Sequence, residues 1–227
     1  MDIKNKVFEI QKLISVNKLS QAITSCEKLI KKFPNNSYFY NLCGLTLQRD
    51  SQIKKSIKYF EKALFFEQNN FAAMNNLANA YKHLCEYKKA EDLYKNILKE
   101  DPKNIRALNN YANLKKEFNK YEEAKFFLTQ ALKINENDIN ILSNIAACCQ
   151  GIGETEEAKE YALKILDLQP KNTSAHKLIS GIINYKKEPN HLDVMKKLLL
   201  EDSFENFSST EKTDLFFALG KAHEDIK

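Results

Sequence analysis

Residues 71–104 read FAAMNNLANAYKHLCEYKKAEDLYKNILKEDPKN, and the fold follows from this stretch. Met74, Leu77, Ala78 and Tyr81 fall at i, i+3, i+4 and i+7. After CEYKK, the residues Ala90, Leu93, Tyr94 and Ile97 repeat that spacing, so each run carries one apolar helical face. The closing Asp101-Pro102-Lys103-Asn104 stops the second run, because proline disfavours helical conformation in the residue before it. Two amphipathic helices joined by a short turn make an αα-hairpin. Such a hairpin leaves an apolar face that has to be covered by another like it.

The rest of the chain supplies the others. Pro34, Pro102 and Pro170 stand 68 residues apart, twice 34, and Asn36, Asn70, Asn104, Asp138 and Asn172 recur at every 34th position. Ala90, Ala124 and Ala158 keep the same step, with Ala22 two steps before Ala90. Three residue classes sharing one period identify an internal repeat. The spacing predicts repeats at 3–36, 37–70, 71–104, 105–138 and 139–172. A divergent sixth helix pair follows from Thr173, and then the first helix of a further repeat, up to residue 227. Small residues at the eighth position (Gly44, Ala78, Ala112, Ala146) and the twentieth (Ala22, Ala90, Ala124, Ala158) let paired helix backbones approach closely.

Composition agrees with an all-α fold. Among 227 residues, 43% are apolar, enough for a sizeable core, and five Gly and four Pro are too few for the frequent tight turns of a β-sandwich. The charge of +5 comes almost wholly from Lys, the arginines being Arg49 and Arg106. Base readout prefers the planar fork of Arg, and the Lys pairs are scattered among Glu rather than gathered in a stripe, so nucleic acid is not expected as a partner. No run approaches 18 apolar residues, and MDIKNKVFEIQKLI lacks the parts of a signal peptide, which leads us to expect a cytoplasmic chain with no membrane contact. Cys26, Cys43, Cys85, Cys148 and Cys149 are odd in number and lie within apolar helical patterns, as small buried hydrophobes would.

Over residues 3–172 the chain resembles the tetratricopeptide-repeat proteins. Their pattern of Leu at position seven, a small residue at eight, Tyr at eleven, Ala at twenty, an aromatic at 24 and Pro at 32 is met by Leu77, Ala78, Tyr81, Ala90, Tyr94 and Pro102. Departures are Ser56 at a twentieth position, Gln68 and Glu136 for the closing proline, and Lys115 at an eleventh position. The resemblance implies a right-handed superhelical solenoid of antiparallel helix pairs. The first helices then line its concave side, with positions two, five, six, nine and twelve facing the groove.

Those positions hold Asn75, Asn76, Asn79 and Lys82, then Arg106, Asn109, Asn110, Asn113 and Lys116, then Asn140, Ser143, Asn144 and Gln150. Asn costs several tenths of a kcal/mol relative to Ala in a helix, so stability alone does not select three on one exposed face. A side-chain amide offers two donors and two lone pairs, and can bond both the C=O and the N–H of an extended peptide. The arrangement resembles the asparagine ladder in the tetratricopeptide region of O-linked N-acetylglucosamine transferases. The expected partner is a protein or peptide, with Lys82, Arg106 and Lys116 favouring an acidic one. The family's carboxylate clamp wants Lys at position five, which here holds Val7, Asn41, Asn75, Asn109 and Ser143, so a chaperone-tail receptor is disfavoured.

Neither a catalytic constellation nor a cofactor motif is legible. Gly151-Ile152-Gly153 reads as the turn between two helices, since no strand precedes it and no G-K-[ST] follows. His83, His176, His191 and His223 lack metal-ligand spacing. Glu122-Glu123 and Glu156-Glu157 open second helices, where the dipole favours negative charge.

From Thr173 the period blurs. The pattern predicts a helix TSAHKLISGIINYKK, then HLDVMKKLLLE after Pro189, an irregular DSFENFSS, and a last helix with Leu219-Gly220 at positions seven and eight. A first helix without its second suggests a piece of something longer. The run from His191 to Lys227 also resembles the junction of bacterial proteins that join a tetratricopeptide array to a sulfotransferase domain. A non-catalytic peptide scaffold, the recognition arm of a transferase and an assembly module therefore stand as the alternatives.

Overall fold

The computed structural model describes residues 3–200 and 202–227. Met1 and Asp2 of the N-terminal segment, and Glu201, expected to close a short helix, lie outside the described residues. Every regular element among the described residues is helical. They run α1 (Ile3–Ser15), α2 (Leu19–Lys32), α3 (Ser37–Arg49), α4 (Ile53–Phe66), α5 (Phe71–His83), α6 (Tyr87–Glu100), α7 (Ile105–Glu117), α8 (Tyr121–Ile134), α9 (Ile139–Ile152), α10 (Thr155–Leu168), α11 (Thr173–Ser180), α12 (Asn190–Leu200) and α13 (Ser209–Ile226), with a 3-10 turn at Asp202–Asn206. None is long and apolar enough to cross a membrane. The chain divides into two compact units, Met1–Leu114 and Lys115–Lys227, the division falling inside α7.

Local chemistry sets where each helix starts. The recurrent Asn and Asp residues are N-caps: Asn36 accepts from the Phe39 amide, Asn70 from Ala73, Asn104 from Ala107, Asp138 from Asn140 and Ile141, and Asn172 from Ala175. Each satisfies an N–H that the first turn leaves without a helical partner, an interaction worth about 1 kcal/mol. The second helices α2, α4, α6, α8 and α10 have no such side-chain cap. They are entered instead through one left-handed residue, and Asn17, Ser51, Cys85, Asn119 and Gly153 all have positive φ at a 34-residue step. The next residue donates back across the turn, from Lys18 to Leu13, Gln52 to Leu47, Glu86 to Tyr81, Lys120 to Lys115 and Glu154 to Cys149. This is the Schellman closure, and it satisfies carbonyls at the end of the preceding helix.

In the N-terminal unit the core gathers Ile10, Ala22, Cys26, Leu29, Phe39, Leu42, Cys43 and Leu47, with a second cluster around Phe60, Leu77 and Ala80. Gly44 shows why an eighth position is small, since a Cβ there would sit 2.5 Å from the ring of fully buried Phe60. Ser56, in place of the usual Ala, is also fully buried, and its hydroxyl donates to the Ile53 carbonyl at 2.8 Å, so no polar group is stranded.

In the C-terminal unit, Leu142, Ile165, Ile179, Tyr185, Met195, Leu215 and Ala218 form one cluster. Lys115, at an eleventh position, is buried and bonds Glu123 at 2.8 Å, exchanging an aromatic contact for an ion pair.

Several sequence expectations need correction. Cys85 is exposed at the α5–α6 turn, because its position serves the left-handed turn rather than a helical face. Gly151 and Ile152 belong to α9 and only Gly153 makes the turn. The absent Cβ of Gly151 leaves room for the Tyr121 ring, which it would meet at 2.7 Å. The helix expected over 173–187 ends at Ser180. Gly181 follows it, and Asn184 then folds the chain by accepting from the Lys186 amide while its carbonyl accepts from Lys187 and Glu188. Buried Ile183 and Tyr185 are thereby turned into the core. Open space surrounds Gly220, and the close contacts of α13 are made by Ala218 and Ala222 instead.

Tyr185 lies beside a bonded histidine pair that 15 residues of separation hide in the sequence. His176 Nε2 is 2.9 Å from the Pro170 carbonyl oxygen, which can only accept, so Nε2 carries the proton and Nδ1 is an acceptor. His191 Nε2, 2.9 Å away, donates to that Nδ1, and the Tyr185 hydroxyl donates to His191 Nδ1 at 2.7 Å. With both rings neutral, each ring nitrogen of the pair has a partner of the right kind. Burial, then the neighbouring His176, pushes His191 down to about 4, with Glu188 opposing and Lys159 assisting, and burial lowers His176 as well.

Two measurements test these devices. Cys85→Asn, with a residue that tolerates left-handed backbone, is expected to raise stability by about 0.5–1 kcal/mol, and Gly153→Ala, which meets no atoms, to lower it by about 1–2 kcal/mol, both read in urea. Because the folded pKa of His191 lies below the ordinary 6.5, stability is full above pH 6.5 and falls as pH drops toward 4. The slope is at most about 1.4 kcal/mol per pH unit for each histidine. Glu123, Glu211 and Asp225, with lowered pKa values, stay ionised above pH 5, so the loss between pH 6.5 and 5 is expected to shrink in His191→Phe.

Candidate peptide groove

The N-terminal unit carries most of the expected groove residues on α5 and α7, and their environments differ. Asn75 is only 3% exposed. Its Nδ2 donates to the Phe71 carbonyl at 3.1 Å and reaches Asn104 Oδ1 at 3.5 Å, which bolsters the cap of α7. Its Oδ1 has no partner among the described residues. Asn76 is half-buried and donates to Asn41 Oδ1 at 2.8 Å, so the amides of α3 and α5 hold each other. Asn79 accepts from the hydroxyl of fully buried Tyr94 at 2.6 Å.

One period later the arrangement loosens. Asn110 and Asn113 are half-buried on α7, and neither side chain bonds another described residue. The residue one period after Tyr94 is Leu128, which has no hydroxyl to offer. Asn109 is half-buried and already partnered, Lys82 likewise, and Arg106 is exposed. The tyrosines behind this face are stacked, Tyr94 on Tyr111 with centroids 5.9 Å apart, and Tyr111 donates to Glu91 at 2.8 Å. They leave α7 little freedom to shift against α6.

In the C-terminal unit, Lys116 Nζ donates to Asn144 Oδ1 at 2.9 Å, both half-buried, and Asn140, Ser143 and Gln150 are exposed along α9. Cys149, Glu154 and Glu157 bring ligand-type atoms within 4.8 Å of one another. Lys125 Nζ lies 2.6 Å from both carboxylates and already supplies the cation. The cluster is an ion-pair network closing the α9–α10 turn on α8.

Sequence reasoning passed over one concavity of the N-terminal unit. A cavity of about 420 Å³ is lined by Ile14, Leu42, Leu45, Gln48, Arg49 and His83, from α1, α3 and α5. The signal was there to be read. Leu42 and Leu45 stand 34 residues before Asn76 and Asn79, so the face that is amide in later helices is apolar in earlier ones.

Comparison with known proteins agrees with this architecture. The tetratricopeptide repeat family matches residues 69–137 through one profile and 116–182 through another. The uncharacterised protein ycf37 of Pyropia yezoensis is 36% identical over 59 residues, 26% of this chain and 33% of that protein, so the chain spans about a third of the curated relatives it matches. Among solved structures, Pseudomonas aeruginosa PilF superposes with a TM-score of 0.74 at 15% identity, covering 93% of this chain and 95% of that one. YrrB, a TPR protein with an unusual peptide-binding site, gives 0.60 at 18% identity over 86% of this chain and 96% of that one. These structural likenesses bear on the fold.

Tyr94→Phe removes the bond to Asn79 without changing the ring. Stability in urea is expected to fall by about 1 kcal/mol with helix content unaltered, since the half-buried amide left behind can turn to water.

Proposed function

We propose, from the premise that the chain belongs to the tetratricopeptide-repeat family, that it is a non-catalytic scaffold whose first helices hold an extended peptide, or a partner's extended segment, by side-chain amides. The observation that carries the reading is the pair Asn110 and Asn113, half-buried on one face of α7 with no bond to another described residue. A poor helix former kept twice on a packed helix, with its amide open to solvent rather than bonded within the protein, is accounted for by a ligand that takes it up. Asn76 and Asn79 support the face from behind by fixing α5 against Asn41 of α3 and Tyr94 of α6, and Asn75 reaches the capping residue Asn104. Arg106, exposed at the start of α7, and Lys82 add positive charge that favours an acidic peptide. In the C-terminal unit, taken by itself, Lys116 and Asn144 stand at groove positions of the period and bond each other. The peptide-binding site of YrrB, a protein of similar fold, is consistent with this use of the scaffold.

Decapeptides selected on the intact chain from a randomised library provide the test. The Asn110→Ala, Asn113→Ala double variant is expected to bind them at least about tenfold more weakly, equivalent to about 1.4 kcal/mol, while far-UV circular dichroism stays unchanged. Unchanged affinity would remove the amides from the binding role.

A further inference from the structure

The face that carries the amides changes character along the chain. Position six of the 34-residue period is Phe8, then Leu42, then Asn76, Asn110 and Asn144. Position nine changes from Leu45 to Asn79 and Asn113. Phe8 is 67% exposed and Leu45 39% exposed, so these apolar side chains are not absorbed by the core. Leu42 is buried at the floor of the cavity of about 420 Å³ described above, with Ile14 of α1 and Leu45 of α3 as its walls. That volume lies within the range of sites that enclose small ligands, and it suits one large aliphatic or aromatic side chain with part of its backbone.

The rim is polar and positive. Arg49 and His83 border the opening, both exposed, with Gln48 between the walls, and no acidic side chain lines the cavity. Arg49, one of two arginines in a chain that otherwise uses lysine, makes no ion pair with a described residue. The adjacent acid, Asp50, is engaged by the amide of Gln52. A guanidinium beside an apolar cavity is matched by a carboxylate, which it binds through two parallel N–H bonds.

We infer that this cavity is a specificity pocket for a bulky apolar side chain with an adjacent carboxylate, so that the partner segment is acidic and hydrophobic together. The assignment rests on the scaffold reading and adds what that reading lacks. Amides hold a backbone whatever its sequence, whereas the pocket selects one side chain and Arg49 selects its neighbour. Burial of the apolar group supplies affinity, and the carboxylate sets which way the segment lies.

The test uses N-acetyl-phenylalanyl-aspartyl amide and its asparaginyl counterpart as probes on the intact, isotopically labelled chain. Saturable shifts are expected at Leu45, Gln48 and His83, with half-saturation near 1 mM for so small a ligand. The neutral probe is expected to bind about tenfold more weakly, and Arg49→Gln to bring the acidic probe to the same level. Leu45→Gln, at an exposed helical position that leaves folding intact, is expected to weaken both probes. Equal binding of the two probes, shifts confined to other residues, or no saturation up to about 10 mM would overturn the pocket. The two readings fail separately. If the selected decapeptides depend on Asn110 and Asn113 while neither probe binds, the pocket is wrong and the scaffold stands. If the acidic probe binds the pocket while the decapeptides ignore both asparagines, the pocket stands and the amide groove is wrong.

Discussion

A helical hairpin of this length cannot bury its own apolar stripe, and every other feature of the molecule answers to that constraint. Each pair has to be covered by the next, so stability accrues from neighbour to neighbour rather than from one central core. The clusters show it: Ile10, Leu29, Phe39 and Leu47 unite α1, α2 and α3, and Phe60, Leu77 and Ala80 unite α4 with α5. Close stacking of helices requires a small residue wherever a ring arrives, as at Gly44 beneath Phe60 and Gly151 beneath Tyr121.

Stacking at this density tolerates little play in the connections, and the two kinds of turn are built differently. A first helix starts from an Asn or Asp side chain that caps it. A second helix starts from a left-handed residue followed by a bond across the turn. Since both devices sit at fixed positions of the period, successive helix pairs are entered and closed in the same way. The face they offer can then vary in chemistry without any change in the scaffold, from Leu42 to Asn76 to Asn110 at one position.

That freedom separates amides the fold uses for its own bonds from amides it leaves open. Asn75, Asn76 and Asn79 are drawn into the protein's own hydrogen bonds, whereas Asn110 and Asn113 are not, although all five look alike in the sequence. Tyr94 of the facing helix reaches Asn79 and Asn41 engages Asn76, whereas the residue one period after Tyr94 is Leu128, which has no hydroxyl. The same position-by-position change turns the earlier part of the face into an apolar cavity beside Arg49.

The sequence by itself determined the helical class, the 34-residue step and the pairing of small residues with large ones. All three are written in local periodicity, which a helix obeys over spans of three and four residues. It also carried the Asn and Asp series, whose capping bonds reach only two or three residues along the chain. Only the tertiary structure decided that Cys85 is exposed, that α11 stops at Ser180, that His176 and His191 share a proton-ordered bond, and that Asn75 faces inward. The first two turn on local backbone conformation that side-chain periodicity does not report, and the last two on atoms that arrive from 15 to 29 residues away, a range at which helical periodicity is silent about partners.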